Sequence, residues 1–424
     1  MIALGTALLM LPAATTGTGG APLMTALFTA TSAVCVTGLV VVDTPTYWST
    51  FGQVVIMGLF QAGGFGIMIG ATLLALMVSG RLNLGARLVA QAETRTGLGN
   101  VTGVIKVAVV ATLVVELATA AVLALRLRAG YGMDWGEAAW HGLFQAVSAF
   151  NNAGFSTWSD SLTQFAADPV FIVPIMLAVL IGGLGFPVME ELRRQGFRFA
   201  SWSLHTRITV AGSGVLIAAG ALGIGLYEWR NPDTLGALDT TGKLTSVMFH
   251  SVASRTAGFH TIDMGATTIE TQAINWVLMF IGGGSASTAG GIRVTTFFLL
   301  GFAVWAEING NRDTVAFGRR IPGQSLRLAL AVVLMALTLL AVGTLALLSV
   351  TEFPLQDVLF EAISAAFTVG LSTGITGQMP PAGQAILVAL MFVGRVGLVT
   401  LATALALRGH NKLYRYPEER PIVG

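Results

Sequence analysis

Four glycines recur at nearly one spacing, in a setting where bare backbone can do chemistry. Gly38, Gly154, Gly258 and Gly370 lie 116, 104 and 112 residues apart. They sit in the semi-polar segments "ALFTATSAVCVTGLVVVD", "GLFQAVSAFNNAGFSTWS", "VMFHSVASRTAGFHTID" and "VLFEAISAAFTVGLSTGI". An aromatic anchor, Phe28, Phe144, Phe249 or Phe360, precedes the glycine by ten residues in three copies and by nine in the third. Glycine accepts φ > 0 and lets carbonyl oxygens approach a line with no side chain in the way. A ring of such carbonyls can replace the hydration shell of a monovalent cation. A lone glycine in an apolar helix more simply permits close packing. Four copies in register, each behind a short helical stretch, favour coordination.

Bond-making chemistry finds no support. The histidines, His141, His205, His250, His260 and His410, are scattered without metal-ligand spacing, and the single cysteine, Cys35, has no acid-base partner in the sequence. "GGFGIMIG" (63–70) has the wrong spacing for a dinucleotide fingerprint and lies in an apolar run. An intramembrane enzyme would need a nucleophile, paired carboxylates or clustered histidines, so the chain reads as a non-enzyme.

The elements that must position the glycines are membrane helices. The chain is 54% hydrophobic and 10% charged, and several apolar runs exceed the ~20 residues that cross a bilayer. Runs such as "VAVVATLVVELATAAVLALRL" (107–127) are far too long for barrel strands. Of the 23 Lys and Arg, sixteen fall in four groups: Arg81, Arg87, Arg95, Lys106; Arg193, Arg194, Arg198, Arg207; Arg312, Arg319, Arg320, Arg327; and Arg408, Lys412, Arg415, Arg420. The positive-inside rule puts all four groups and the C-terminus in the cytoplasm. The intervening connections carry acids such as Asp43, Asp160, Asp263 and Asp357, which suits a cation arriving from outside.

Between basic groups the pattern is long helix, half-length helix, glycine loop, long helix. A half-helix of about ten residues covers only ~15 Å, so it dips into the membrane and returns. Irregular backbone at that depth must be buried in protein or line a wet cavity. The expected fold is an all-α integral membrane protein of the cell membrane. It has eight transmembrane spans in four helix/pore-helix/helix units around a pseudo-fourfold central pore. The units are 1–80, 101–195, 205–310 and 325–408, followed by a cytoplasmic tail, 409–424. The opening "MIALGTALLMLPAATT" gives a first helix of about 14 residues, ~21 Å, so either that span is short or the native start lies upstream of Met1.

At these residues the chain resembles the Trk/Ktr/HKT superfamily of potassium transporters, and most closely its Ktr-type membrane subunit. "SAVCVTGLVVVDT", "FNNAGFS", "SRTAGFHT" and "FTVGLSTGIT" match the filter segments, and "GGGSASTAGGIRVTTF" matches the third-unit loop. The resemblance implies channel-like potassium uptake, probed by one filter glycine per unit. It assigns the ion cage to the carbonyls of Val36, Thr37, Asn152, Ala153, Thr256, Ala257, Thr368 and Val369, with Gly38, Gly154, Gly258 and Gly370. In the family a serine at the first glycine accompanies sodium permeation, so Gly38 favours potassium. Cys35 departs from the hydroxyl residue common at its position, which leaves backbone coordination intact. Potassium is the expected bound ion, with a sodium requirement and no organic cofactor. Implied partners are a second copy of the chain, a cytoplasmic ring of nucleotide-binding regulatory subunits and membrane lipids, but no nucleic acid.

The second helix of the third unit holds Gly282, Gly283, Gly284, Gly290 and Gly291 with Ser285, Ser287 and Thr288. Each glycine costs ~1 kcal/mol in a helix relative to alanine, so this stretch should unwind beneath the glycine loops. The resemblance implies a gate there, and the counterpart spans in units one and four, around Phe65 and Val393, carry fewer glycines, so the third unit alone is expected to lay flexible backbone beneath the filter. Arg293 follows the loop. Arg395 lies inside an apolar run, where a charge needs a partner or water. It is expected to face the pore below the filter, the alternative being a pairing with Glu116. Arg255 is expected to brace the third loop by pairing with an outer acid. A secondary transporter with two inverted halves is the rival reading, and four same-orientation units argue against it.

Overall fold

The computed structural model describes residues 1–80 and 101–397. The C-terminal tail, the end of the fourth unit and most of the first and last basic groups lie outside the described residues.

The first unit runs α1 (Ile2–Leu9), α2 (Leu23–Val34) and α3 (Thr50–Gly80). The second has α4 (Val101–Tyr131), α5 (Trp135–Asn151), α6 (Pro169–Leu184) and α7 (Phe186–Gln195). The third has α8 (Leu204–Glu228), α9 (Thr240–Ala253), α10 (Ile269–Phe280) and α11 (Val294–Ile308). The fourth has α12 (Gly323–Leu348), α13 (Leu355–Ala366) and α14 (Pro381–Phe392), continued by a π turn, Val393–Gly397.

Ala108–Tyr131, Leu204–Glu228 and Gly323–Leu348 are 24, 25 and 26 residues long and apolar enough to cross a bilayer. At ~1.5 Å per residue each exceeds the ~30 Å core. Each is the first long helix of its unit. They leave leucines such as Leu222, Leu226 and Leu345 exposed on their outer faces, where lipid replaces water.

The half-length helices α2, α5, α9 and α13 are 12, 17, 14 and 12 residues long and sit at the centre of the packing. The aromatic anchors Phe28, Phe144, Phe249 and Phe360 are each fully buried at 0% exposure. Asp134 and Asp239 cap the starts of α5 and α9 through Gly136 N and Gly242 N. Pro22 and Pro354 precede α2 and α13.

Two features depart from the sequence expectation. A short antiparallel hairpin, β1 (Val315–Ala316) and β2 (Arg319–Arg320), joins the third and fourth units, so the described fold is not purely helical. The second unit is also broken: α6 and α7 meet at 101° across Gly185, whose φ is +94°. Pro187 lies two residues on, and glycine with proline is a sufficient local cause for the turn. Interruption is therefore not confined to the third unit.

Arg193 and Arg194 of α7 pair with Glu190. Arg207 of α8 donates to the Ala200 and Phe317 carbonyls, and the Phe199 and Phe317 rings sit 5.7 Å apart. These contacts gather the second and third basic groups at one end of the molecule.

Candidate functional site

Each half-length helix is followed by a loop whose N–H groups turn back. In the first unit Val36 N donates to Ala33 O at 3.0 Å, Thr37 N to Ser32 O at 2.8 Å and Gly38 N to Ser32 Oγ at 3.1 Å. The fourth repeats this with Thr368 N to Ala365 O, Val369 N to Ser364 O and Gly370 N to Ser364 Oγ, at 3.2, 2.8 and 3.0 Å. In the second, Asn152 N and Ala153 N donate to Ala149 O and Ser148 O. In the third, Thr256 N and Ala257 N both reach Ala253 O. These donors are spent on the end of the half-helix before them, which leaves the loop's carbonyl oxygens for another partner.

The backbone that achieves this is unusual and fourfold repeated. Gly38, Gly154, Gly258 and Gly370 have φ of +94°, +72°, +72° and +94°. Two residues earlier, Val36, Asn152, Thr256 and Thr368 also have positive φ, at 56°, 57°, 140° and 50°. Positive φ is rare for β-branched side chains and is stored only where surroundings enforce it. The glycines were legible in sequence; the matching strain at the second residue before each was not, because Val, Asn and Thr share no side-chain signature for it.

The four loops close on one another in chain order. A Cβ on Gly38 would lie 2.5 Å from Ala153 O, one on Gly154 3.0 Å from Ala257 O, and one on Gly258 2.8 Å from Val369 O. A Cβ on Gly370 would overlap Thr37 O and so completes the circuit. The carbonyl preceding each glycine thus lies beside the glycine of a neighbouring unit. Only residues without a side chain permit that approach.

Against this ring lies the interrupted segment between α10 and α11. Gly282 N bonds Ile292 O, so the segment leaves and re-joins its helix line at one place. Gly284 N donates to Gly183 O at 2.8 Å, Thr288 N to Gly182 O at 3.3 Å, and Phe186 N to Ala286 O at 3.2 Å. The helix break of the second unit therefore grips the loop of the third. Asn152 Nδ2 donates to Thr288 Oγ1 at 2.8 Å, and Thr288 Oγ1 donates to Phe150 O at 3.1 Å. On the other side, Gly290 packs on Phe367 O and Thr368 Oγ1 so tightly that no Cβ fits. Within the segment, Arg293 Nη1 holds Ala289 O at 2.7 Å and Gly284 O at 3.2 Å, Ser287 Oγ donates to Gly284 O, and Ser285 Oγ meets Thr295 Oγ1. Gly283 approaches Ala289 Cβ and Gly183 O, and Gly291 the backbone of Gly282.

Arg395 and Arg255 are both held by carbonyl and hydroxyl oxygens. Arg395, in the π turn, is 4% exposed and donates to Thr288 O at 2.5 Å and Thr368 Oγ1 at 3.3 Å. It joins the interrupted segment to the fourth glycine loop. Glu116 bonds other groups, Gln61 Nε2 and Asn151 Nδ2, each at 3.2 Å. Arg255 makes no ion pair among the described residues: its Nη2 donates to Gly282 O at 2.9 Å and Ser213 Oγ at 3.2 Å. A carbonyl and a hydroxyl stand where an outer acid was expected, because the Arg255 side chain is buried beside the segment.

A buried network was missed altogether. Gln61 of α3, Glu116 of α4 and Asn151 at the end of α5 bond one another across three helices. The one available signal was a glutamate inside the apolar run of α4.

Comparison with known proteins resolves the class. The family model for TrkH, a cation transport protein, matches residues 6–414. The chain belongs to the TrkH family of cation transport proteins. This family is a membrane transport family and not an enzyme family. The chain is 40% identical to the Ktr system potassium uptake protein B of Bacillus subtilis, across 100% of this chain and 94% of that protein. It is 33% identical to the potassium/sodium uptake protein NtpJ of Enterococcus hirae, across 100% of this chain and 95% of that protein. The crystal structure of the potassium transporter TrkH from Vibrio parahaemolyticus superposes with a TM-score of 0.72 at 17% identity, covering 92% of this chain and 79% of that chain. That likeness concerns the fold alone.

Proposed function

We propose that this TrkH-family chain is the membrane subunit of a potassium uptake system, arranged as eight spans around a pseudo-fourfold pore. Potassium passes through a filter lined by the carbonyls of Val36, Thr37, Asn152, Ala153, Thr256, Ala257, Thr368 and Val369 with the four glycines. The observation that carries this reading is the closed circuit of glycine loops, each with its N–H groups turned away and a neighbour's carbonyl beside its glycine. Oriented carbonyls dehydrate a cation without supplying a fixed charge that would trap it. The names of two relatives, one for potassium and one for potassium and sodium, point the same way.

The segment Gly282–Gly291 is the gate, held shut by Arg293 and Arg395. Its clamps are hydrogen bonds to backbone rather than covalent or apolar locks, so a modest bias exchanges closed and open states. The basic groups face the cytoplasm, where a ring of nucleotide-binding subunits supplies that bias, and the chain works as a homodimer. Sodium supports uptake as a coupled or activating ion.

The deciding experiment is ion flux from purified protein in vesicles. Rubidium or potassium uptake should exceed sodium uptake at equal gradients, and added sodium should raise potassium uptake. Equal permeation of both ions in well-folded protein would sink the filter assignment.

A further inference from the structure

The residue after each aromatic anchor is polar and buried: Thr29 at 1% exposure, and Gln145, His250 and Glu361 at 0%. These four occupy the same place in the repeat, and two of them, Gln145 and Glu361, reach their own loops. Their bonds differ. Gln145 Nε2 donates to Ser156 Oγ at 2.8 Å, and Ser156 is the second residue after Gly154. Glu361 accepts from Ser372 Oγ at 2.5 Å, Thr373 N at 3.1 Å and Thr376 Oγ1 at 2.7 Å. Ser372 is likewise the second residue after Gly370. His250 instead meets Asn275 of α10 at 3.1 Å, and Thr29 Oγ1 has no hydrogen-bond partner among the described residues.

We propose that Glu361 is a specificity-determining positioning residue: its carboxylate pins the outer lip of the fourth filter loop and so fixes where the Gly370 backbone stands. The inference rests on the four-loop filter proposed above. The carboxylate ties three residues of the lip to one side chain of α13, whereas Gln145 ties one. A loop held at Ser364 below and at Glu361 above has its glycine clamped from both ends. The ring passes each constraint to the next unit, since a Gly370 side chain would strike Thr37 O. The fourth unit therefore sets the width that the weakly tied first unit follows.

Chemistry separates this role from a mere need for polarity. A glutamine at 361 keeps one carbonyl oxygen for Ser372 and Thr373 N, while its amide can donate to a reoriented Thr376 hydroxyl. Alanine loses every tie. Potassium and sodium uptake would be measured in vesicles for wild type, Glu361→Gln, Glu361→Ala and Thr29→Val. The potassium-to-sodium ratio should fall about tenfold in Glu361→Ala, as loss of two or three hydrogen bonds allows, and recover to within about threefold of wild type in Glu361→Gln. Thr29→Val should leave it unchanged. Should Glu361→Ala fail to fold, Ser372→Ala combined with Thr376→Val removes the lip's donors and must lower the ratio in the same sense. A normal ratio in either, or a Glu361→Gln as poor as alanine, overturns the inference. Wild-type protein without potassium preference would instead overturn the transport reading beneath it.

Discussion

Arg395 and Thr288 are joined by a 2.5 Å hydrogen bond from the guanidinium to the carbonyl, and the same guanidinium reaches Thr368 Oγ1. One side chain thereby spans the interrupted segment and the fourth glycine loop. A planar guanidinium serves two such acceptors at once, which a lysine ammonium on a flexible stem does poorly.

Breaking this clip should free the gate. Arg395→Gln is expected to raise potassium uptake several-fold with its preference over sodium intact. Arg395→Lys separates clip from charge: uptake like the glutamine variant marks the clip, and uptake like wild type marks electrostatic repulsion of passing ions. Initial uptake rates in vesicles, normalised to reconstituted protein, decide between them.

Side chains at the four ring glycines should harm selectivity in a set order. The neighbour is closest at Gly370, then at Gly38, and more distant at Gly258 and Gly154. Gly370→Ala should lower the potassium-to-sodium ratio most, and Gly38→Ser by about tenfold, because a Cβ also strains φ > 0. Equal ratios across the series would mean that the glycines serve only packing.

Gly284→Ala should act on rate. Its Cβ would strike the Leu184 carbonyl at the second unit's helix break, pushing the segment off its clamp. Uptake should rise or lose regulation while ion preference stays constant. Gly301→Ala, in α11 with open space around it, is the matched control and should change neither.

The buried Glu116 network should report in stability. Glu116→Leu leaves the buried Gln61 Nε2 without its acceptor, while Asn151 Nδ2 keeps Gln61 Oε1 and Val147 O, and should lower stability by ~1–3 kcal/mol, read as a lower Tm in detergent. Glu116→Gln retains an acceptor and should stay within about 1 kcal/mol of wild type. A leucine variant as stable as wild type would show that the Gln61 amide finds another partner.

The repeat was legible because glycine, phenylalanine and apolar length are strong signals that recur in register. The Arg255 and Arg395 contacts were not, because their acceptors are the carbonyls of Gly282 and Thr288, and every residue carries a carbonyl. The break at Gly185 did have a signal: "GGLGFP" holds three glycines and a proline where α6 ends. It was outweighed by the richer run of the third unit, yet the two breaks are hydrogen-bonded halves of one feature.

A circuit closed within one polypeptide has a consequence for how it can diverge. In a pore assembled from four identical chains, any substitution is copied into every quadrant and its effect is multiplied. Here Thr29, Gln145, His250 and Glu361 already differ at one repeated place, so each quadrant can be altered singly. If the ring is the ion filter proposed above, its preference is open to small graded steps, each begun in one quadrant.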